Sequence, residues 1–333
     1  MRFTRLHALF AAVCLVWGTT WIAVKVGIAA VPPVFFVGVR FMVAGAILLG
    51  VLRCRGSLER IARADWPRLM AVTLLLIAVT HAFMFWGAQF VTSGLAAILD
   101  LAFVPVALLA MGALLGEERF SPARAAGVAL GVVGILVLFG PQALASNGPG
   151  KSAGTVMWLA GGGAIVLSAF TAGLGAVLAR PLLRAYPSVL VSGLITLGGG
   201  VVLSAGALAL EPGAVAALSG QWGGAAWASW GFLVLFGSLV AYPAYLLLVR
   251  EWGPSRAGSF AFVSPAIAVL LGVLVFGETV TVTDALGMAV MLSGAWLTLR
   301  PVEPAPAALR VVARPVRPQE SPYGSPNPHR PVS

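Results

Sequence analysis

The sequence predicts an all-α membrane protein of ten transmembrane helices, arranged as two inverted five-helix repeats, and three observations carry that prediction. Apolar residues make up 59% of the 333 and charged ones 10%, with a mean hydropathy of +0.97, well outside the balance of a soluble globular domain. The stretch 94–140 returns without a gap at 254–300, matching at Pro105/Pro265, Gly112/Gly272, Glu118/Glu278, Gly127/Gly287 and Gly134/Gly294. Proline and glutamate holding one register in an Ala/Gly-rich chain mark an internal repeat. Lysine and arginine, finally, crowd into alternate connections between apolar runs.

The elements follow by length, at about 20 apolar residues per crossing. Arg2 and Arg5 precede an apolar run over 8–30. It is too long for a signal peptide and carries Trp17, Trp21 and Lys25, so it reads as an uncleaved first span. Val31, Pro32 and Pro33 turn the chain, since proline cannot continue the preceding helix but opens the next one well, and a second span runs to about Leu52. Further spans are expected near 69–91, 94–116, 121–140, 155–179, 186–209, 227–249, 256–277 and 281–300. Internal Gly and Pro are compatible with lipid-embedded helices, where neighbours re-satisfy freed backbone groups and small residues let helices approach.

Orientation comes from the basic residues. Eighteen of them fall on one side: Arg2, Arg5, Arg53, Arg55, Arg60, Arg63, Arg68, Arg119, Arg124, Arg180, Arg184, Arg250, Arg256, Arg300 and four in the tail, against Lys151 alone on the other. That asymmetry puts both termini in the cytoplasm. Five spans per repeat then turn the second repeat upside down: residues 1–140 form the first repeat, 141–154 an outer loop, 155–300 the second repeat. Inverted repeats flank a central site open to one side at a time, which points to transport of a small molecule. Residues 301–333, with nine prolines and four arginines, read as a disordered cytoplasmic tail.

Trp17-Gly18-Thr19-Thr20-Trp21, Lys25, the Pro32-Pro33 turn and Arg40, together with the two proline- and glutamate-bearing hairpins, resemble EamA-type members of the drug/metabolite transporter superfamily over residues 8–300. The resemblance implies a bacterial inner-membrane carrier that works without a cofactor, in a family known for exporting amino acids, other metabolites and drugs. Coupling to protons or to exchange is part of that expectation. One departure is plain: the positions aligned with Lys25 and Arg40 in the second half are roughly Ala179 and Leu194.

Ionisable residues inside spans give the candidate site. Lys25, Arg40 and Asp100 each cost on the order of 2.5–3.5 kcal/mol or more at a helix centre, so they must face protein or water. At about 1.5 Å per residue they share a depth, roughly 8–12 Å from the outer ends of their helices. Either Arg40 and Asp100 neutralise each other while Lys25 snorkels to the interface, or the surplus positive charge receives an anionic group of the substrate. Trp17 and Trp21 precede Lys25 at four-residue steps and share its face, either as cavity walls or as lipid-facing belts. Tyr242 and Tyr245, one turn apart, are candidate walls. His81 and Asp100 are candidate proton carriers, with Ala241 and Phe260 as their counterparts. Pro105 and Pro265 are candidate hinges or static kinks, and Glu118 and Glu278 are expected to cap the helices that follow them.

Other chemistries have little support. No basic stripe is interleaved with aromatics, so the net charge of +10 does not indicate nucleic acid. Cys14 and Cys54 form no spaced framework, and His7, His81 and His329 are too scattered for a metal centre. Gly148 to Ser152 resembles the end of a phosphate-binding loop, but the first glycine of that motif is replaced by Ala145 and no strand precedes it. An intramembrane enzyme, or a non-transporting receptor or scaffold, would leave a solid core between the halves; a carrier would leave a cavity lined by Lys25, Arg40 and Asp100.

Overall fold

The computed structural model describes residues 5–91, 93–118, 121–146, 155–276 and 281–300, and every regular element among them is helical. Residues up to 300 form one unit, and the tail that follows lies outside the described residues. In the first half the helices are α1 (Arg5–Ile28), α2 (Pro33–Cys54), α3 (Arg63–Gly87), α4 (Ser93–Leu114) and α5 (Pro122–Ser146). The second half supplies α6 (Thr155–Ala185), α7 (Ser188–Leu210), α8 (Gly224–Trp252), α9 (Phe260–Phe276) and α10 (Val282–Leu299). A single turn at Ala214–Ala217 and another at Pro254–Gly258 sit in the connections. Among the described residues seven helices are long and apolar enough to cross a membrane: α2, α3, α4, α6, α7, α8 and α10. Large apolar side chains such as Leu136, Leu159, Leu235 and Leu286 are about half exposed, as outward faces in lipid require.

The ends of the helices follow local chemistry. Proline opens α2, and its first amides donate to a carboxylate from the other half: Val34 N to Glu211 Oε1 at 2.9 Å and Phe35 N to Glu211 Oε2 at 2.8 Å. At the opposite end, Tyr186 beside the start of α7 donates to Asp65 Oδ2 at 2.8 Å and accepts from Ala62 N at 3.0 Å. Each repeat thus ties down the entry to the other's second helix. Helix α10 begins with a capping box, Thr281 accepting from Asp284 N at 3.1 Å and donating its own amide to Asp284 Oδ2 at 2.9 Å.

Glycine sets the packing of the two halves. Along α2 and α7, Gly38 lies against Ser204, Met42 against Gly200, Gly45 against Leu197, and Leu49 against Gly193. Contacts that climb one helix while descending the other mean that the two run antiparallel. The same holds for α5 and α10, where Gly127 meets Thr298, Gly131 meets Gly294, Gly134 meets Met291, and Leu138 meets Gly287. A Cβ at Gly134 would fall 2.5 Å from Met291 N, and one at Gly38 would fall 2.8 Å from Ser204 N, so no other residue fits either seam.

These contacts also fix the register between the halves. Gly18 packs on Ile267 and Gly173 on Ala107, so α1 and α6 correspond at 155 residues while α4 and α9 keep the 160 of the hairpins. Pro32/Pro187, Gly38/Gly193 and Gly45/Gly200 obey the same 155. The aligned positions move by one from those expected: Arg40 answers to Ile195, and Lys25 answers to Arg180, a cation, where Ala179 had been expected.

Two turns were not foreseen. Residues Thr73–Val79 in α3 and Leu233–Ala241 in α8 widen into π-helix, again 160 residues apart. The first is seated against glycines: Gly175 touches Leu76 and Gly199 touches Ile77. Element boundaries differ modestly from expectation. Helix α3 begins at Arg63 rather than near 69, α6 continues through Pro181 to Ala185, and the ninth span is broken between Gly258 and Phe260.

Candidate functional site

A π turn releases backbone carbonyls from the regular ladder, and such turns are frequent at functional sites. In α3 the released groups are taken by side chains: Thr80 Oγ1 donates to Leu75 O at 2.6 Å, and His81 Nδ1 lies 2.8 Å from Ile77 O. Bonding a carbonyl places the proton on Nδ1, so Nε2 of the neutral ring is left as an acceptor. In α8 the widened turn presents Ser238, whose Oγ accepts from Arg40 Nε at 2.9 Å. The guanidinium also lies over Phe41, 5.0 Å from the ring centroid, and against Gly237, where a Cβ would come within 2.7 Å of Nη2.

Of these, Arg40, Phe41, Thr80 and His81 border a cavity of about 190 Å³ between the halves. Its polar wall holds Arg40, His81, Asp100, Thr20, Thr80 and Ser264. Its apolar wall is largely aromatic: Trp17 packs edge-on to Phe260 at 4.4 Å and lies 5.1 Å from Tyr245, while Phe41 sits 6.0 Å from Tyr242 and 4.6 Å from the His81 ring. Equivalent positions of the two halves both line it: Trp17 and Ala172, Phe85 and Tyr245, Asp100 and Phe260, Val104 and Ser264. Both repeats therefore contribute matching positions to the cavity.

The two opposite charges in this cavity do not neutralise each other. Ion pairs among the described residues involve Glu117, Glu118 and Glu251, and Arg40, 9% exposed, spends its Nε on Ser238. No hydrogen bond to Asp100 is found among the described residues. Ser264, 3% exposed, keeps an Oγ without a partner. A buried hydroxyl left unmade costs about 1–3 kcal/mol, so this wall has unmet capacity for a ligand.

Of the residues singled out from sequence, Trp17, Arg40, His81, Asp100, Tyr242 and Tyr245 come together here. The side chains of Trp21 and Lys25 lie outside the described residues, although both positions are helical. Pro105 and Pro265 are buried inside α4 and α9. Pro105 removes the bond that would reach the Leu101 carbonyl, and Leu101 lines the cavity.

Glu118 does something other than expected. It accepts from Ser255 Oγ and, at 3.4 Å, from Ser255 N, and it pairs with Arg124 at 3.5 Å. The helix after it is met instead by Ser121 Oγ, 3.5 Å from Arg124 N. Ser121 lies closer to that helix start, while Glu118 is drawn across to the free amide of the Pro254–Gly258 turn in the second half. Glu278 lies outside the described residues, and the start of α10 is capped by Thr281 and Asp284.

Sequence reasoning missed Thr20, Thr80, Ser238, Phe260 and Ser264. For Phe260 and Ser264 a signal existed, since the repeat register carries Asp100 and Val104 onto them. Ser238 depends on the π turn, which no residue pattern announces.

A multi-pass helical membrane protein of two homologous halves, with a polar and aromatic cavity between them, is the class this geometry defines. A family model described as the EamA-like transporter family matches residues 5–140 and 159–300. The chain belongs to that family, within the drug/metabolite transporter superfamily that its opening motif resembles. It is 33% identical over 303 residues to the Uncharacterized inner membrane transporter YedA of Escherichia coli strain K12, covering 88% of this chain and 90% of that protein. An uncharacterized transporter of Archaeoglobus fulgidus is 23% identical over 85% of this chain and 95% of its own. A crystal structure of a protein superposes with a TM-score of 0.72 at 21% identity, covering 89% of this chain and 97% of that one, a likeness of fold.

Proposed function

We propose that this protein is a secondary active transporter of the inner membrane, moving a small amphipathic metabolite such as an amino acid, or a drug, outward by alternating access. The observation that carries this is the inter-repeat cavity in which Arg40 and Asp100 stand unneutralised by each other among aromatic walls. An arginine offers donors only and a carboxylate acceptors only, so the complementary ligand presents an anionic or acceptor group to one and a cationic or donor group to the other. Trp17, Tyr242, Tyr245 and Phe260 then cover an apolar or aromatic body.

The ten-crossing, inverted architecture belongs to the same proposal. The antiparallel seams of α2 with α7 and α5 with α10 support inversion, because equivalent helices of the halves meet head to tail. The three helices beyond the seven long apolar ones, α1, α5 and α9, are the counterparts of α6, α10 and α4, each of which is long and apolar enough to cross. Arginine crowding at one set of helix ends supports placing that end, with both termini, in the cytoplasm.

Purified protein in proteoliposomes, challenged with amino acids, nucleobases and cationic aromatic drugs, tests the proposal. A zwitterionic or cationic aromatic compound is expected to be transported and to compete with its relatives. Flux no faster than in empty liposomes across the whole panel would remove the transport reading.

A further inference from the structure

We infer that Glu117 and Glu118 form a clamp that holds the two repeats shut at the arginine-rich end, and that its counterpart positions in the sequence do not repeat it, so that the unliganded carrier rests with its cavity closed toward the arginines. The inference rests on the transport reading above. Glu117 reaches α6 of the second repeat: Arg180 Nη1 donates to its Oε2 at 3.1 Å and to its backbone oxygen at 2.5 Å, and Arg184 Nη2 donates to Oε2 at 2.7 Å. Glu118 reaches the turn before α9, accepting from both the amide and the hydroxyl of Ser255. Gly253 makes the approach feasible. Its φ of 86° suits glycine, and any Cβ would collide with the Glu118 carboxylate. Burial and the neighbouring Arg124 hold Arg256 below the usual arginine range, while Glu118 draws it upward.

The clamp is largely dry apart from Arg184, which is 53% exposed. Glu118 is 6% exposed and its partner Arg124 13%; Glu117 is 19% exposed and Arg180 11%. Removing one member of a buried pair strands the other, which costs far more than losing a surface pair. The first repeat lines the cavity from parts of its helices remote from the clamp, α1 with Trp17, Thr20 and Val24, α2 with Arg40 and Phe41, and α4 with Asp100, Leu101 and Val104, while Tyr245 and Phe260 of the second repeat line it on the clamp's side.

Inverted repeats of identical sequence would weigh both closed states equally; difference between the repeats sets the bias. Carrying each clamp residue to its counterpart through the two registers removes most of its chemistry. Arg180 becomes Lys25, Arg184 becomes Ala29, Glu117 becomes Gly277, Ser255 becomes Leu95, and Arg256 becomes Ala96. Arg124 becomes Asp284, which is committed to the capping box of α10. Arg180 and Glu118 keep their charge, as Lys25 and Glu278, but without the remaining partners.

Sidedness of labelling tests this in the full chain. Cys54, exposed, is replaced by serine, while buried Cys14 stays; Ala172→Cys on the cavity wall reports access of a membrane-impermeant maleimide from either face of oriented vesicles. In the parent the reporter is expected to react from the face opposite the arginines. Glu117→Gln with Glu118→Gln should raise reaction from the arginine face about tenfold, the response of a two-state equilibrium shifted toward its other state. Arg180→Gln should move it the same way by less, and exchanging charges, Glu117→Arg with Arg180→Glu, should restore the parental sidedness. Parental sidedness in all these variants overturns the clamp and leaves the transport reading standing. A reporter unreactive from both faces in every variant overturns the open cavity, and with it both readings.

Discussion

Arg40 and Asp100 are the residues on which the proposed chemistry turns, because a buried ion without an ionic partner is stable only if something completes it. In Arg40 the completion is partial: Ser238 takes Nε and the Phe41 face takes part of the cation, while the remaining donors lie at the cavity. Asp100→Asn is expected to abolish flux in protein that still inserts and elutes as a folded species, since the amide keeps the shape and loses the charge; normal flux would remove Asp100 from the site. Lys25→Ala is expected to lose flux likewise. Ser238→Ala acts through Arg40. A hydrogen bond to a charged group is worth about 1.5–3 kcal/mol, so the apparent KM should rise about tenfold or more with little change in maximal rate, and Ser238→Thr should recover most of it. The cost of burying a charge made Arg40 and Asp100 legible as sequence. Their separation was not legible, because whether two mid-helix charges meet depends on how their helices are rotated and on competing partners, and the π turn at Leu233–Ala241 supplies Arg40 with such a partner in Ser238. His81 shows the same limit: its place one turn from Phe85 was readable, but its bond to Ile77 O requires the carbonyl that the widened turn at Thr73–Val79 exposes.

At the scale of helices, glycine seams organise the packing. The hairpin repeat could be read because Pro105/Pro265 and Glu118/Glu278 share one offset, but the first two helices of each half shift to 155, and only contacts such as Gly18 with Ile267 and Gly173 with Ala107 reveal the change. Composition cannot tell a seam glycine from a lipid-facing one. The structure separates them: Gly134 and Gly200 press on the backbones of Met291 and Met42, whereas Gly50 and Gly163 have nothing within 4 Å. Gly134→Leu should therefore lower the melting temperature markedly, since overpacking a tight seam costs about 1–3 kcal/mol, and Gly163→Leu should leave it nearly unchanged. A thermal shift assay in detergent reads both, and equal effects would mean that α5 and α10 are not held by close approach. Glu118 was misread for a related reason. A carboxylate just before a helix is expected to cap it, but the unbonded amide of Ser255, brought over by the fold, competes for it and wins.

For the whole molecule, the repeats are alike in architecture and unlike in chemistry, and that difference decides how a gradient can be used. His81 and Asp100 both belong to the first half and answer to Ala241 and Phe260 in the second, so a proton carried at the cavity can be held by only one repeat. If that proton is exchanged for substrate, acid on the outer side drives efflux, since the cavity must return inward loaded with a proton after releasing its ligand outward. Proteoliposomes preloaded with a transported compound should then release it faster under an imposed pH gradient, acid on the outer face, than at equal pH. His81→Gln keeps a hydrogen-bond donor for Ile77 O but cannot take up a proton. It should retain substrate exchange at equal pH and lose the response to the gradient, whereas Asp100→Asn should lose both. Release that is indifferent to the gradient in the parent protein would exclude proton coupling and leave exchange as the driving reaction. A response that survives in His81→Gln would assign the proton to Asp100 alone.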